Sequence, residues 1–384
     1  MFSAVRAVPP GVPAGCRGRL VEVDRCEWRV GDGGDPAEVV AGFCARYGGA
    51  HSGADGSVCG VAVMVSAAAG AVMAGGAAGA PSPVPAVPDV VVVAYAHGPV
   101  AAVAAPGRFG TGRWVGSWAA ADHAEAVGAV QEAIGRGEVY QACVVGHRRA
   151  SWRGDPGAAV AAVSGVGGAV WGGALAGRDW LVASGSPECF LDCVFDEGGG
   201  GAVSSFPIKG TAAATAAGRA GLLSSVKERA EHVMIVDLVR NDLARVAVPG
   251  SVGVSGLFTV RRWVDLWQAE SAVSCRLAPG VGVAGVLRAL CPPGSVTGTP
   301  KLSVLDLVGG LEPVGRGPAM GALGFWSGGR LRLGLTIRTV ALDADAVHVW
   351  AGGGVTWRSG PAAEVAEAEA KASGVVRALG SVGA

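Results

Sequence analysis

The sequence predicts an α+β protein, and three features carry that reading. Strand-like segments mix with helical ones without the regular βαβ alternation of a doubly wound sheet. The run RLRLGLTIRTVAL alternates with period two, Leu331, Leu333, Leu335 and Ile337 on one face and Arg332, Thr336 and Arg338 on the other. Charged segments of helical period occupy the middle and the end of the chain. A length of 384 residues, 50% of them apolar, supplies a sizeable core.

Residues 1–108 are low in complexity and carry no readable chemistry, whereas 109–384 hold every motif described below. The expected division is therefore a divergent N-terminal region and a domain that carries the chemistry. Residues 59–80, CGVAVMVSAAAGAVMAGGAAGA, are uncharged over a roughly membrane-spanning length. Ala and Gly give little insertion energy, and neither an aromatic belt nor a basic cluster borders the stretch. It reads as buried small-residue strands running into the Pro-rich segment APSPVPAVP.

From Asp122 to Arg136, Val127, Val130, Ala133 and Ile134 follow helical spacing, and VYQACVVGH after them reads as a strand. WLVASG and CFLDCVF read as two more. One long helix is expected from Gly218 to about Arg245 and a shorter one over 283–291. AVHVWAGGGV is a further strand and AAEVAEAEAKASGVVRAL the closing helix.

Charge balances, 31 basic against 31 acidic residues, so no general field draws the chain to nucleic acid or anionic lipid. Any anionic ligand must be bound locally. Only four of the basic residues are lysine, Lys209, Lys227, Lys301 and Lys371. A lysine kept in an arginine-rich chain suits a place needing a compact ammonium, or an amine able to lose its proton. Nine cysteines without a CxxC pair predict neither a zinc site nor a secreted disulfide framework; Cys189 and Cys193 fall on one face of a strand. The start, MFSAVRAVPPG, has no apolar signal region, so a cytoplasmic location is expected.

Lys227, Glu231, Ile235 and Leu238 share one helical face, and Glu364, Glu367 and Lys371 another. Carboxylates on two helices can converge on a hard divalent cation, although a solvated salt-bridge face has the same spacing. SFPIKGTAA sets Lys209 in apolar surroundings that would lower its pKa toward nucleophilic use; a plain solvated turn is the alternative. PPGSVTGTPK is a turn rich in backbone N–H groups, suited to an anion or to simple helix entry.

Taken in order, VYQ, SPECF, PIKGT, KERAEHVMIVDLVRNDLARV, GSVTGTPK, LGLTIRT, AGGGV and EVAEAEAK resemble the chorismate-utilising enzymes over residues of about 114 to 380. Within them the likeness is greatest to component I of aminodeoxychorismate synthase. The resemblance implies an anthranilate-synthase-like, two-layered β-sandwich flanked by helices, with a chorismate cleft between its halves. It makes 109–384 a chorismate-binding catalytic domain.

The resemblance further implies Glu231 and Glu367 as Mg²⁺ ligands, Glu364 assisting through water. It gives Arg338 the enolpyruvyl carboxylate, a task for a bidentate donor. Lys371, Gly353 and Gly354 should lie close by, with Thr211 and Thr297 as polar contacts. Glu188 would be the general acid that protonates the departing C4 hydroxyl, with a raised pKa. Gln141 stands where water-adding members carry a lysine base. Lys209 would attack C2 as the C4 hydroxyl leaves, and ammonia would then attack C4 and expel the lysine, giving 4-amino-4-deoxychorismate. Ammonia would come from a separate glutamine amidotransferase subunit, component II.

Three positions depart from the family pattern. Ala319 replaces an aromatic residue ahead of GxxG, Gln268 replaces a histidine, and Arg358 replaces an acidic residue. Ala319 and Gln268 motivate one alternative, a non-catalytic chorismate-binding paralogue; the other, anthranilate synthase component I, is opposed by Lys209, and the histidine missing at Gln268 disfavours its product.

Overall fold

The computed structural model describes residues 2, 8–13, 16, 20–47, 57–99, 107–196, 200–263 and 266–380. The first part of the chain forms β1 (Leu20–Trp28), α1 (Pro36–Tyr47), β2 (Val58–Val65), α2 (Ala67–Met73) and β3 (Val90–His97). Next come β4 (Phe109–Thr111), β5 (Val115–Gly116), α3 (Ala120–Gly135), β6 (Gln141–Gly154), α4 (Pro156–Ser164), β7 (Gly173–Ala176) and β8 (Leu181–Ser184). They are followed by β9 (Cys189–Phe195), β10 (Gly201–Ser205), β11 (Ile208–Ala213), α5 (Ala216–Ser224), α6 (Val226–Ala244), β12 (Gly253–Trp263) and β13 (Leu266–Arg276). The last part forms α7 (Val283–Leu290), β14 (Gly298–Thr299), α8 (Lys301–Leu311), β15 (Ala322–Ser327), β16 (Arg330–Leu335), β17 (Thr339–Leu342), β18 (Ala346–Val355) and α9 (Pro361–Gly380).

The strands make two sheets. One runs β1-β3-β2-β15-β16-β9-β10-β13-β11, with β12 also on β13; the other runs β14-β6-β18-β17-β8-β7, with β4 and β5 also on β6. Their inner faces meet where Met64, Val91, Val93, Leu323 and Phe325 pack on Val145, Leu175, Val182, Ala341 and Trp350. Helices cover the outer faces. Val61, Val63, Val90 and Val92 pack beneath Phe43, Val236, Leu243 and Leu287, and Val340, Leu342 and Val347 beneath Ala158, Val163, Val375 and Leu379. Strands covered on both faces read as unbroken apolar runs, which explains VVVVAYA in β3. The expected helix-flanked sandwich is thus the observed architecture.

Several local expectations change. The composition shift near residue 108 is no boundary of the sheet, because β2 pairs directly with β15, Val65 opposite Ala322. Within 59–80 the strand ends at Val65 and α2 follows, its N-cap Ser66 accepting from the Ala69 amide at 3.0 Å. No described helix is long and apolar enough to cross a membrane. The single helix expected from Gly218 is two, α5 and α6. Ser225 leaves helical geometry at ψ 105° and uses its hydroxyl to accept from Glu228 N, a capping bond that competes with helix continuation.

The largest change concerns RLRLGLTIRTVAL. Its period of two is real, but its halves belong to different sheets: β16 pairs with β15 and β9, β17 with β18 and β8. Residues 336–338 carry the chain across. Thr336, expected on a polar face, is buried and accepts from Gly321 N at 2.8 Å, and Arg338 sits at φ 50°. That left-handed conformation costs a non-glycine residue about 1–3 kcal/mol, so the surroundings must impose it.

Candidate active site

Beside this crossing a cavity of about 700 Å³ opens between β6, β11, β18, α6 and α9. Lys209 reaches it because β11 bulges between Ile208 and Thr211, a device that re-aims side chains. Gly210 makes the bulge possible at φ 92°, where an added Cβ would also lie 2.8 Å from Leu222 Cδ1. Lys209 Nζ lies 2.9 Å from Glu231 Oε2, and Lys227 Nζ is 3.8 Å from the other oxygen. Burial disfavours the Lys209 ammonium, but Glu231 outweighs it and the pKa is raised. The lowered pKa expected from PIKGT is corrected here. The enclosure is as read, and the carboxylate comes from α6, remote in sequence.

Glu188 lies between β8 and β9, buried, with Ser295 Oγ donating to its Oε1 at 3.3 Å. Burial pushes its pKa up to about 8, so the carboxyl keeps its proton at neutral pH. Arg338 points into the same cavity, donating to the Gly167 carbonyl at 2.9 Å. Burial lowers its pKa, and among the described residues no carboxylate pairs with it. A desolvated, unpaired guanidinium is a standing site for an anion.

On the opposite wall the glycines of β18 let side chains approach its backbone. An added Cβ at Gly353 would meet Glu364 Oε2 at 2.6 Å and Glu367 Oε1 at 3.9 Å; one at Gly354 would meet Gln141 Nε2 at 2.3 Å. Lys371 Nζ donates to the Gly352 carbonyl at 2.9 Å and pairs with Glu367 at 2.7 Å. Burial would raise the Glu367 pKa, but Lys371 brings it below the ordinary range. Glu364 is buried.

Gln141, Thr211 and Gln268 also line the cavity, and the Gln268 Oε1 is buried without a hydrogen-bond partner. Thr297 is not among the lining residues. Its hydroxyl turns into its own loop and donates to Pro293 O at 2.9 Å. Ala319 packs between the sheets, while its neighbour Met320 faces the cavity; Arg358 is exposed and outside it.

The sequence reading missed Ser295 and the two buried ion pairs that hold its loop. Lys301 Nζ bonds Asp242 Oδ2 at 3.0 Å and the Ala289 and Leu290 carbonyls. Arg316 pairs with Glu312 and donates to Val296 O and Cys143 O. The scarcity of lysine was a signal for Lys301. Nothing distinguished Arg316 among so many arginines.

The cavity wall thus carries Lys209, Lys227, Lys371 and Arg338 against the carboxylates Glu228, Glu231, Glu364 and Glu367. A dianion entering with a divalent cation would leave that balance unchanged. Glu231, Glu364 and Glu367 are hard oxygen donors suited to such a cation. Their oxygens do not gather within 4.8 Å of one another, and ammonium groups neutralise Glu231 and Glu367 instead. Because Mg²⁺ takes only one or two carboxylates beside water and substrate oxygens, the donor set fits it.

Residues 90–377 match the family of chorismate binding enzymes. An aminodeoxychorismate synthase of Streptomyces pristinaespiralis is 39% identical over 250 residues, 63% of this chain and 34% of that protein. The aminodeoxychorismate synthase component 1 of Salmonella typhimurium is 33% identical over 276 residues, 70% of this chain and 60% of that one. An anthranilate synthase component 1 of Halobacterium salinarum is 36% identical over 268 residues, 67% of this chain and 50% of the other. The chain therefore spans between about a third and three fifths of these relatives. Anthranilate synthase component I from Streptococcus pneumoniae shares the fold, with a TM-score of 0.77 over 98% of this chain and 95% of that chain at 20% identity.

Proposed function

We propose a specific activity for this chain, which belongs to the chorismate binding enzyme family: amination of chorismate at C4 to give 4-amino-4-deoxychorismate. The reading rests on one observation above the others. An amine, Lys209, and a carboxyl that holds its proton at neutral pH, Glu188, line the same cavity.

The residues divide the work as follows. Arg338 binds the enolpyruvyl carboxylate through its guanidinium. Glu188 gives its proton to the C4 oxygen, so that water leaves rather than hydroxide. Lys209 Nζ, once deprotonated, forms a bond to C2 while the ring double bonds shift and the C4–O bond breaks. Ammonia then attacks C4, the double bonds return, and the C2–N bond breaks with its electron pair leaving on Lys209 as the free amine. The new C4 ammonium returns a proton to the Glu188 carboxylate, so chorismate and ammonia give the amino product and water. Gln141 has no basic nitrogen with which to activate water at C2. Mg²⁺ held by Glu231 and Glu367, with Glu364 acting through water, would neutralise the ring carboxylate and draw Glu231 away from Lys209.

Ammonia is supplied by a glutamine amidotransferase subunit. The cysteines of this chain are buried apart from the half-buried Cys26, which is unlike the exposed, electropositive setting of a catalytic thiol. The Salmonella relative carries the name component 1.

The test is to give purified chain chorismate, Mg²⁺ and ammonium salts at raised pH and to identify the product by mass spectrometry. 4-Amino-4-deoxychorismate is expected. Anthranilate with pyruvate would move the chain to the anthranilate synthases, and binding without turnover would make it a non-catalytic paralogue. Comparable turnover with glutamine alone would refute the two-subunit supply.

A further inference from the structure

Outside the set of residues that line the cavity, Cys16, Cys59 and His97 bring their ligand atoms within 4.8 Å of one another, all three residues buried. Their separation in sequence hides this grouping from any reading of spacing. We propose that Cys16, Cys59 and His97 form a binding site for a thiophilic cation, zinc(II) in the first instance, which pins the segment ahead of β1 onto the β2–β3 pair.

The backbone is arranged to bring the three together. On β3, Val91, Val93 and Tyr95 face the interior between the sheets, and simple alternation carries His97 to that face. On β2, alternation would send Cys59 to the opposite, helix-covered face with Val61 and Val63. It lies instead with Ala62 and Met64, because β2 bulges there: Val58 pairs with Ala96 and Gly60 with Tyr95, leaving Cys59 as the extra residue. Gly60 permits the bulge at φ 152°, where an added Cβ would lie 2.2 Å from the Trp326 carbonyl. Cys16 comes from outside the sheet and rests in the same apolar cluster, its Sγ 3.2 Å from His97 Nε2.

The donor chemistry selects the cation. Ligand atoms about a tetrahedral zinc stand roughly 3.5–3.8 Å apart, given Zn–S near 2.3 Å and Zn–N near 2.0 Å. The observed grouping needs only small shifts to meet that spacing. Two thiolates cancel the charge of a divalent ion, which matters among Val12, Val93 and Tyr95, where an unbalanced charge would be costly. Sulfur donors disfavour Mg²⁺, so this site would not compete for a cation bound by the cavity carboxylates. Ser57 Oγ lies 3.4 Å from His97 Nδ1, placed to fix the ring while Nε2 faces the metal. The described residues offer no fourth side-chain ligand, which leaves one position for a small ligand such as water or thiolate.

The full chain, purified under reducing conditions, is loaded with zinc, dialysed and analysed for metal, and loaded in parallel with cobalt(II). About one zinc per chain and a thiolate-to-cobalt charge-transfer band are expected. Cys16→Ser and Cys59→Ser should each weaken zinc binding by at least about tenfold. Cys44→Ser, buried against the opposite face of the same sheet, should leave it unchanged. The cobalt band is read on the unaltered chain, so it decides the matter even if a variant fails to fold. Absence of that band, unchanged zinc in Cys59→Ser, or a Cys16–Cys59 disulfide in chain isolated without added oxidant overturns the proposal.

Discussion

Replacing Glu188 by Gln should make the protein more stable and less active, and the stability gain should grow with pH. The carboxyl titrates near 4.5 in the unfolded chain and near 8 when buried, so between those values the native state holds a proton that the unfolded state has lost. Native stability therefore falls as pH rises through this window, by about 1.4 kcal/mol per pH unit at most. The loss from this one group reaches about 3 kcal/mol at pH 7 and about 5 kcal/mol above pH 9. Gln keeps the shape and can still accept from Ser295, but it does not titrate. Urea unfolding at pH 5, 7 and 9 should show the variant and the parent nearly equal at pH 5 and widely separated at pH 9. Turnover runs the other way: the parent should decline above about pH 8 as the acid form is lost, and Glu188→Gln should be slower by about 10²–10⁴-fold at neutral pH. A stability difference that stayed flat with pH would show that Glu188 is already ionised at neutral pH, and the general-acid role would fall with it.

Lys209→Ala should abolish the amino product or leave only slow direct attack by ammonia, and Lys209→Arg should not restore it because guanidinium stays protonated; wild-type turnover in the Ala variant would remove the nucleophile. Glu231→Gln and Glu367→Gln should each raise the Mg²⁺ concentration for half activity by roughly 10–100-fold, and an unchanged dependence in both would return them to salt-bridge partners. Gly352→Ala sets a Cβ 2.1 Å from the Val144 carbonyl and should cost about 1–3 kcal/mol in urea unfolding, whereas Gly353→Ala meets the side-chain ends of Glu364 and Glu367 rather than backbone and should lose activity with little loss of stability. Lys301→Met should cost about 3–5 kcal/mol by stranding the buried Asp242, and adding Asp242→Leu should recover most of it; no recovery would locate the cost in the carbonyls that Lys301 also caps.

What the sequence made legible was local. CFLDCVF and AVHVWAGGGV coincide with β9 and β18, because period and flanking glycines are decided within a few residues. Glu188, Lys209, Glu231, Arg338, Glu364, Glu367 and Lys371 all line one cavity, and they were found through ordered motifs rather than spacing. Thr297 lay within such a motif and still turned away, since whether a hydroxyl faces a ligand or closes its own turn is settled by a carbonyl four residues back. The crossing at 336–338 was invisible for a related reason. Alternation reports which residues share a face but not to which sheet the face belongs, so one pattern served two strands.

Bulges set a sharper limit on reading faces from sequence. A single extra residue moves a side chain to the other side of its strand, and nothing in a period-two pattern marks the residue responsible. At Lys209–Gly210 the bulge brings an amine from the edge of β11 to the α6 carboxylate, which reverses the direction of its pKa shift relative to the apolar surroundings alone. At Cys59 it moves a thiol from the helix-covered side of β2 to the interior that already holds Cys16 and His97. Glycine follows the displaced residue in both places, at φ 92° and φ 152°, conformations that a side chain would resist. In a chain with 65 glycines that signal has no contrast, so the sequence that builds these two sites also conceals them.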